Sequence, residues 1–529
     1  HECSSAASDV YKRQLYDGDL PPGASFAGLS KNAPLSNPTA SFWTDFGVNS
    51  SDLSSVQVAK AKDYHQPFPD PGEEFQHVNT QLFNQIDSQN RGKGSEEMSA
   101  PFNLPSPTPN PAGMQGFVND YINTLLGMPE KFGAKKFQPP SREQFEVIMQ
   151  CFMPDQVPVL STLAKEFAVF DHWYCSVPSQ TWCNRAFWHT GTSGGFVNNP
   201  SVGGVIAVPK MFNEWKRRIY DKPNLFSRMH DKGDQLSTKI YASQYPSLTK
   251  LINGNSVGEI VTPIVGQITR NNLNLFKQDI ENGDLPNYSF VEPRFMFHHN
   301  DQHPSSVFTG PNADVPFLKT HPGTVLLGED LIWEVYNTIF TSDKYKDNTL
   351  LIVTYDEHGG CFDHVSPITV PSPGDSESAN TPKGQPVFDF TRSGARVPMV
   401  MVSANIKKNT IMNGHFDHTS FLRTMCEKWD LEGLTDRDKK ANSFKQVFTG
   451  TKRTDFPEIP RPQVKEMDQQ MAADMPLNDL QTSILNATHV LASETLRLGA
   501  EASTEQVSSI QTVGEAMTYL ESIRGHLND

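Results

Sequence analysis

Residues 349–365, TLLIVTYDEHGGCFDHV, constrain the chain most, because an apolar strand leads directly into ionisable side chains. Four consecutive apolar residues, 350–353, are typical of a parallel strand that is covered on both faces. Asp356 and Glu357 follow at once, and two glycines let the backbone turn beside them. Ligands of open α/β sheets bind outside the carboxyl ends of the strands, so this acidic pair is placed where a site would lie.

Asp356 and Glu357 repel each other, so a bound cation would keep both carboxylates ionised. A solvated loop after a strand is the alternative interpretation of an isolated Asp-Glu pair. His358 and the double glycine favour the site. Because carboxylates are hard oxygen ligands, Ca²⁺, Mg²⁺ or Mn²⁺ is favoured as the bound cation over a thiolate-preferring ion.

Composition argues against several other classes of protein. The formal net charge is -15 and no long basic run offsets it, so the chain is not expected to bind nucleic acid. No apolar run approaches the length of a membrane span. The six cysteines form no CxxC pair, which argues against a structural zinc site. The 39 prolines and 35 glycines are typical of a loop-rich α/β protein.

A second strand followed by polar side chains lies within residues 167–195. Thr181 is the candidate nucleophile there, and Asn184 and Arg185 could hold a phosphoryl oxygen by a hydrogen bond and a charge-assisted fork. A lone threonine near a proline is more often a turn residue or a helix cap. The polar neighbours of Thr181 favour a catalytic role, so both interpretations stay open.

Histidines follow a third predicted strand at residues 288–291. His298, His299 and His303 lie in the loop after this strand, and His321 precedes the next predicted helix. Single histidines are more often structural, but four in two loops directed at one edge of a sheet favour a site.

Residues 69–84 predict a turn that leads into a helix with Glu73, Glu74 and His77 near its start. Acids at that position suit the positive end of the helix dipole, so a capping role is the expectation for the two glutamates. His77 could reach a site.

Together these segments resemble the phosphoesterase family. The matching motifs are TYDEHGGCFDHV, SVPSQTWCNR, NDQHPSS with THPG and GEDLIWEVY, and NGHFDHTSFLRT. The family contains bacterial phospholipases C, plant non-specific phospholipases C and a bacterial acid phosphatase. The resemblance covers residues 15–449 and implies a three-layer α/β/α fold with a mostly parallel central sheet, like that of alkaline phosphatase.

The resemblance also implies hydrolysis of phosphate esters by a hydroxyl nucleophile, assisted by one metal ion. Thr181 corresponds to the family's nucleophile, which would pass through a phosphothreonine intermediate, and Asp356 and Glu357 correspond to metal-binding acids. His77 corresponds to a further active-site histidine. Three more histidines correspond to those around the transferred phosphoryl group: His298, His299 and His321. The last of these is the candidate that protonates the leaving group.

The substrate class stays open between a phosphomonoester and a phospholipid, because the sequence does not reveal whether an apolar surface near the site holds acyl chains. A phospholipid substrate would bring peripheral membrane contact. One alternative is a sulfatase, but its Cys-x-Pro-x-Arg motif is absent from residues 175–180. Another is a catalytically impaired or non-catalytic binding protein on the same fold. Because family members are often exported, a periplasmic or secreted location is expected.

Three regions are expected along the chain. Residues 1–14 resemble the translation of a sequencing adapter and are expected to be an assembly artefact. Residues 15–453 form the predicted catalytic domain, and residues 454–529 form a linker and a helical tail without evident chemistry. The family's ENRSFD-type motif, with its Glu-Asn metal-ligand pair, does not occur. An amino-terminal strand and half of the metal site are therefore expected to be missing, with reduced activity.

Overall fold

Short strands alternate with helices along the chain, which confirms the predicted α/β fold. The computed structural model describes residues 20, 24–29, 35–67, 70–127, 139–200, 208–262, 273–296, 298–304, 324–464, 469–496, 507 and 509–524. Among the helices within these ranges, none combines the length and apolar character of a membrane span.

The helices and strands have the following bounds. The α-helices are α1 (Phe75–Phe83), α2 (Phe117–Gly127), α3 (Arg142–Phe145), α4 (Pro158–Glu166), α5 (Thr181–Thr190), α6 (Val208–Ile219), α7 (Leu225–His230), α8 (Leu248–Asn253), α9 (Asn274–Asn282), α10 (Val325–Phe340), α11 (His418–Trp429), α12 (Asp436–Lys440), α13 (Gln469–Ala473), α14 (Asp479–Leu496) and α15 (Val513–Ile523). The strands are β1 (Ser36–Asn37), β2 (Val56–Gln57), β3 (Ala59–Lys60), β4 (Gln150–Cys151), β5 (Ala168–Phe170), β6 (Trp173–Tyr174), β7 (Thr238–Ala242), β8 (Glu259–Val261), β9 (Tyr288–Glu292), β10 (Leu351–Thr354), β11 (Met399–Val402), β12 (Thr410–Met412) and β13 (Phe416–Asp417).

Two sheets carry the strands that the sequence places before its polar loops. One has four strands in the order β10-β11-β5-β12, with β11 antiparallel to both of its neighbours and β12 parallel to β5. The other has three parallel strands in the order β8-β7-β9. Five of the eight strand pairs in the described part of the chain are parallel, as expected of a mostly parallel architecture.

Two groups of helices enclose these sheets in layers. Helix α4 packs against β5 and β11, and α10 packs against α4. Helix α5 packs against α7, α8 and α11. Apolar side chains of the strands and of both helix groups form one large buried cluster. Burial of this cluster is the main source of stability for such a layered domain.

Strand β10 differs in one respect from the sequence expectation. Its apolar run predicts a strand covered on both faces, yet all four of its residues are partly exposed. All four residues of the adjacent strand β11 are buried. The difference arises because β10 is an edge strand of its sheet and a cavity of about 990 Å³ lies along its open side.

A buried ion pair fastens the loop that follows β10. The Arg396 side chain is fully buried, and its Nε donates to Asp363 Oδ2 at 2.9 Å. Its Nη1 donates to the backbone carbonyls of Asp171 and Ala27 at 2.9 and 3.0 Å. The loop that carries the predicted metal acids is therefore tied to the end of β5.

Replacement of Arg396 by leucine should lower the free energy of unfolding by about 3 to 5 kcal/mol, because Asp363 would stay buried without its charged partner. Replacement of Lys60 by alanine is the matched control, since it removes the exposed pair with Asp155 and should change that free energy by less than about 1 kcal/mol. Urea unfolding followed by tryptophan fluorescence measures both. Equal losses in the two variants would contradict this account of the ion pair.

Candidate active site

Asp356 lies at the carboxyl end of β10 and pairs with Arg185 of α5. The Arg185 Nε donates to Asp356 Oδ2 at 2.9 Å. The backbone at Asp356 is held as well, because its carbonyl accepts a hydrogen bond from His418 Nε2 at 2.6 Å. His418 Nδ1 in turn accepts from Trp173 Nε1 at 3.3 Å, which defines the tautomer. Burial lowers the pKa of His418, so its neutral imidazole acts as a support for this loop.

Thr181 is the first residue of α5, where the helix dipole is positive and backbone N–H groups favour an anion. Its side chain is only 2% exposed. Arg185 follows one helical turn later and lies on the same face of α5. Thr181 and Arg185 therefore lie one turn apart on α5, and Arg185 makes the contact with Asp356.

Asn184 bonds to the loop before α5. Its Oδ1 accepts from the backbone N–H of Val177 at 2.9 Å, and its Nδ2 donates to the carbonyl of Ser179 at 2.8 Å. Further bonds join Nδ2 to the carbonyls of Val177 and Gln180, both at 3.2 Å. The carboxamide thus fixes the turn that presents Thr181.

One asparagine joins the amino-terminal ends of α1 and α5. Asn198 Oδ1 accepts from Ser179 Oγ and from the backbone N–H of Phe75, both at 2.8 Å. Its Nδ2 donates to Gln76 Oε1 at 3.1 Å. The start of α1, with its acidic residues, is consequently held against the loop that leads to Thr181.

A group of potential metal ligands lies beside the start of α1. Asp70, Glu73 and His303 each offer one ligand atom, and these atoms lie within 4.8 Å of one another. His303 Nε2 is 3.4 Å from Glu73 Oε2, and His303 Nδ1 is 3.8 Å from Asp70 Oδ2. Asp70 Oδ1 and Glu73 Oε1 are buried and accept no hydrogen bond from the described residues. Free oxygen atoms of this kind fit a cation.

Glu357 adds negative charge next to this group. Burial, followed by the charges of Glu73 and Asp356, raises the pKa of Glu357 well above its ordinary value. Burial disfavours protonated His303, but Glu73 and Asp70 outweigh it and hold the pKa of the imidazole well above its ordinary value. The carboxylates outnumber the cations here, and this imbalance is what a bound divalent ion would correct.

Glu74 occupies the N-cap position of α1, but its side chain makes no capping hydrogen bond. Its neighbour Glu73 turns toward His303. The prediction that the side chains of these two glutamates cap α1 is therefore wrong. A turn through Pro71 and Gly72 brings Asp70 and Glu73 to the same side, which the helix periodicity did not reveal.

His77 lies inside a chain of buried hydrogen bonds. Its Nδ1 is 2.9 Å from Asp120 Oδ1, and its Nε2 is 2.9 Å from Ser95 Oγ. Asp120 Oδ2 accepts from Gln81 Nε2 at 2.8 Å, and Gln81 Oε1 accepts from His358 Nε2 at 2.7 Å. Through these contacts His77 supports the loop of Asp356 and Glu357 from behind.

The three predicted phosphoryl-binding histidines have different placements. His299 Nδ1 is 2.8 Å from Asp301 Oδ1, which also accepts from the backbone N–H of His303 at 3.1 Å. His298 precedes them with a left-handed backbone, φ 47°. His321 lies outside the described residues. Burial would raise the pKa of Asp301, but His299 and then His303 outweigh burial and lower it.

Helix α14 near the carboxyl terminus reaches the same loop. Gln481 Nε2 donates to the carbonyl of Phe295 at 2.8 Å, and Asn478 Nδ2 is 3.5 Å from His303 Nδ1. Trp182, next to Thr181, donates from Nε1 to Ser483 Oγ at 2.9 Å. These contacts could not be predicted from local sequence patterns, because they arise only when the tail packs on the domain.

Comparison with known proteins identifies the family. A sequence profile described as the Phosphoesterase family matches residues 24–432, which is more than half of the chain. The chain belongs to the phosphoesterase family. Membership makes it a hydrolase of phosphate esters, as the motifs predict.

Similar proteins include plant and bacterial enzymes. Non-specific phospholipase C3 of Arabidopsis thaliana is 30% identical over 487 residues, which cover 89% of this chain and 78% of that protein. Phospholipase C B of Mycobacterium tuberculosis is 28% identical over 343 residues, covering 58% of each chain. Among solved structures, a protein of the alkaline phosphatase superfamily from Vibrio parahaemolyticus aligns with a TM-score of 0.31 and 14% identity, over 51% of this chain and 60% of that one.

His77 should make stability depend on pH. Burial would lower the pKa of His77, but Asp120 outweighs it and raises this pKa to about 9. A raised folded-state pKa stabilises the fold fully below the unfolded value of about 6.5, and this stabilisation is lost as pH rises to about 9. Between pH 6.5 and 9, the free energy of unfolding of the wild-type chain should therefore fall by about 2 to 3 kcal/mol more than that of His77→Gln.

Urea unfolding at a series of pH values measures this difference. The exposed residue His415 provides the matched control, since its pKa is lowered and His415→Gln should keep the wild-type pH dependence between pH 6.5 and 9. If His77→Gln and the wild type lost stability in parallel between pH 6.5 and 9, the ion pair with Asp120 would not be the cause.

Proposed function

We propose that this phosphoesterase hydrolyses its ester in two steps, with Thr181 as the nucleophile. The observation that carries the proposal is the position of Thr181 at the positive end of α5, one turn before an arginine paired with Asp356. The Thr181 Oγ1 would attack phosphorus, and the bond from phosphorus to the leaving alcohol would break. Water would then hydrolyse the phosphothreonine and restore the free hydroxyl.

The same geometry supports stabilisation of the phosphoryl oxygens. Backbone N–H groups at the start of α5 and the guanidinium of Arg185 provide positive charge where negative charge develops in the transition state. Asn184 keeps the preceding turn rigid, so the donors need little reorganisation during the reaction.

An imidazole of the loop after β9 would supply the proton for the leaving alcohol. The imidazole of His299 is held by Asp301, which also accepts from the backbone N–H of His303 and so orients the loop. A general acid in such a position typically contributes about 10²- to 10⁴-fold to the rate. His321 remains the candidate that the motif comparison adds.

One divalent cation fits the acidic group, with Ca²⁺, Mg²⁺ or Mn²⁺ favoured by the oxygen donors. Asp70, Glu73 and His303 would hold it, and the charges of Glu357 and Asp356 lie beside them. A bound cation would supply charge neutralisation and lower the pKa of a nearby hydroxyl. The unpartnered oxygen of Glu73 is the feature of this chain that supports the assignment.

We further propose that the ester is that of a phospholipid. Two of the similar proteins are named phospholipases C, one from a plant and one from a bacterium. Cleavage on the glycerol side of the phosphate would release a diacylglycerol and place the phosphorylated head group on Thr181. A phospholipid substrate requires peripheral contact with a membrane surface.

Replacement of Thr181 by alanine should lower kcat/KM by at least about 10³-fold, because no hydroxyl remains to attack phosphorus. Thr181→Ser is the conservative control and should retain measurable turnover. The assay compares p-nitrophenyl phosphorylcholine with p-nitrophenyl phosphate, with and without added divalent metal, and circular dichroism checks folding. Undiminished turnover by folded Thr181→Ala would rule out the nucleophile, and preference for the monoester would favour a phosphatase.

Replacement of Glu73 by glutamine should weaken Mn²⁺ binding at least about 10-fold in titration calorimetry, because one of the clustered oxygen donors loses its charge. Glu74→Gln is the matched control, as the adjacent carboxylate lies outside the group of ligands. An equal loss of affinity in both variants, or none in either, would contradict the proposed cation site.

A further inference from the structure

Two histidines lie side by side where a pair of short strands begins. β6 and β13 are parallel, with Trp173 opposite Phe416. His172 and His415 immediately precede these two residues, and the backbone N–H of Phe416 donates to the carbonyl of His172 at 2.9 Å. The ring centroids of the two imidazoles are 5.1 Å apart. The His172 side chain is 20% exposed and His415 is exposed, so solvent reaches both side chains.

A carboxylate fixes the tautomer of His172. Asp171 Oδ1 is 2.7 Å from His172 Nδ1. Burial would raise the pKa of Asp171, but the hydrogen bonds that it accepts, first that of His172, outweigh burial and lower this pKa. A carboxylate only accepts hydrogen bonds, so the neutral imidazole carries its hydrogen on Nδ1 and keeps the lone pair of Nε2 available. Metal-binding histidines are typically supported by such a bond to a carboxylate.

Asp171 is itself held by two other segments of the chain. Its Oδ2 accepts from the backbone N–H of Ala27 at 3.0 Å and from Asn413 Nδ2 at 2.7 Å. Asn413 Nδ2 also donates to the carbonyl of Ser25 at 2.9 Å. The imidazole of His172 is therefore oriented by a connected set of hydrogen bonds, and binding of a ligand to Nε2 needs little reorganisation.

The separation of the two rings fits a metal ion between them. Imidazole nitrogens bind Zn²⁺ at about 2.0 to 2.1 Å, so two imidazoles on a tetrahedral ion have ring centroids about 5 Å apart. The observed separation is 5.1 Å. The rings are tilted by 45°, which is neither the stacked nor the edge-to-face arrangement that aromatic pairs favour. A shared ion accounts for the distance and is compatible with the tilt.

The charges around the pair also suit a cation. Burial, followed by the charge of His172, lowers the pKa of His415, so its imidazole is neutral at pH 7 and can act as a ligand. The ring of Tyr174 adjoins both imidazoles, with centroids 6.3 Å from His172 and 6.2 Å from His415. Two acids and one base act on its phenol: Asp171, Asp363 and Arg396. These groups carry an excess of negative charge.

We propose that His172 and His415 bind one divalent ion that favours nitrogen ligands, Zn²⁺ or Cu²⁺, with water in the remaining coordination positions. Imidazole suits these ions, whereas Mg²⁺ and Ca²⁺ favour oxygen donors. The site needs no cysteine. It shares no residue with the acidic group of Asp70, Glu73 and His303.

The ion would join the two chain segments that lead to the candidate active site. β6 continues into the turn before Thr181, and β13 continues into α11, whose His418 holds the carbonyl of Asp356. An ion that binds only the folded state stabilises that state. Bound to both imidazoles, it strengthens the pairing of β6 with β13 without taking part in hydrolysis.

Titration calorimetry of the full chain with Zn²⁺ tests the site. His415→Phe keeps an aromatic ring against His172 but removes the ligand nitrogen, and should weaken one binding event at least about 10-fold. His172→Gln should have the same effect. The matched control is His65→Gln, which should keep the wild-type affinity, because His65 makes the same kind of bond, to Asp63 Oδ1 at 2.6 Å, in another part of the chain.

Two further measurements separate this site from the acidic group. The difference between the wild type and His415→Phe should vanish when Mg²⁺ replaces Zn²⁺, whereas a Zn²⁺ ion at the acidic group would be common to both chains. Zn²⁺ should also raise the melting temperature of the wild type by at least about 2 °C more than that of His415→Phe. These readouts do not involve hydrolysis, so the proposed nucleophile can fail independently.

Three outcomes would overturn the proposal. Equal Zn²⁺ binding by the wild type and His415→Phe would mean that the two rings only pack against each other. A loss of affinity in His172→Gln alone would indicate binding to a single imidazole. An equal loss in His65→Gln would indicate an adventitious ion only. Circular dichroism checks folding, and His415→Phe decides the question if His172→Gln does not fold.

Discussion

Excess negative charge around Glu357 is the constraint on which the candidate site depends. Glu73 and Asp70 lie in the same buried region, and His303 is the cation among them. Carboxylates in such a place are costly in free energy unless a positive charge compensates them. Three segments of the chain, at residues 70–73, 303 and 357, bring these groups together, and a divalent cation would compensate their charge. The fold therefore creates the excess charge that the proposed cation would neutralise.

The geometry of the catalytic groups rests on side chains that bond to the backbone. Asn184 fastens the turn before Thr181, Asn198 joins that turn to α1, and His418 fixes the carbonyl of Asp356. These bonds hold the turn before Thr181 and the backbone at Asp356 in place. Rigid supports of this kind are what preorganised catalysis requires.

Strands that end in polar loops could be predicted because both signals are local. β9 and β10 match the predicted runs to within one residue at each end, and β5 forms inside the segment 167–195. The grouping of Asp70, Glu73 and His303 was missed, because it joins residues more than 200 positions apart. A Pro-Gly turn between the two acids and the NDQH sequence were the available signals. The contacts of α14 could not be predicted, because no local sequence pattern marks them. The position of β10 at the edge of its sheet could not be predicted either, because it depends on which strands pair.

The measurement that tests the central claim most directly is the mass of the covalent intermediate. The chain is mixed with p-nitrophenyl phosphorylcholine and Mn²⁺, quenched in acid within milliseconds, digested and analysed by mass spectrometry. A phosphocholine adduct on the peptide that contains Thr181, located on that residue by fragmentation, is the predicted result. Release of p-nitrophenol with an adduct on another residue, or with none at any quench time, would contradict the assignment of Thr181 as the nucleophile.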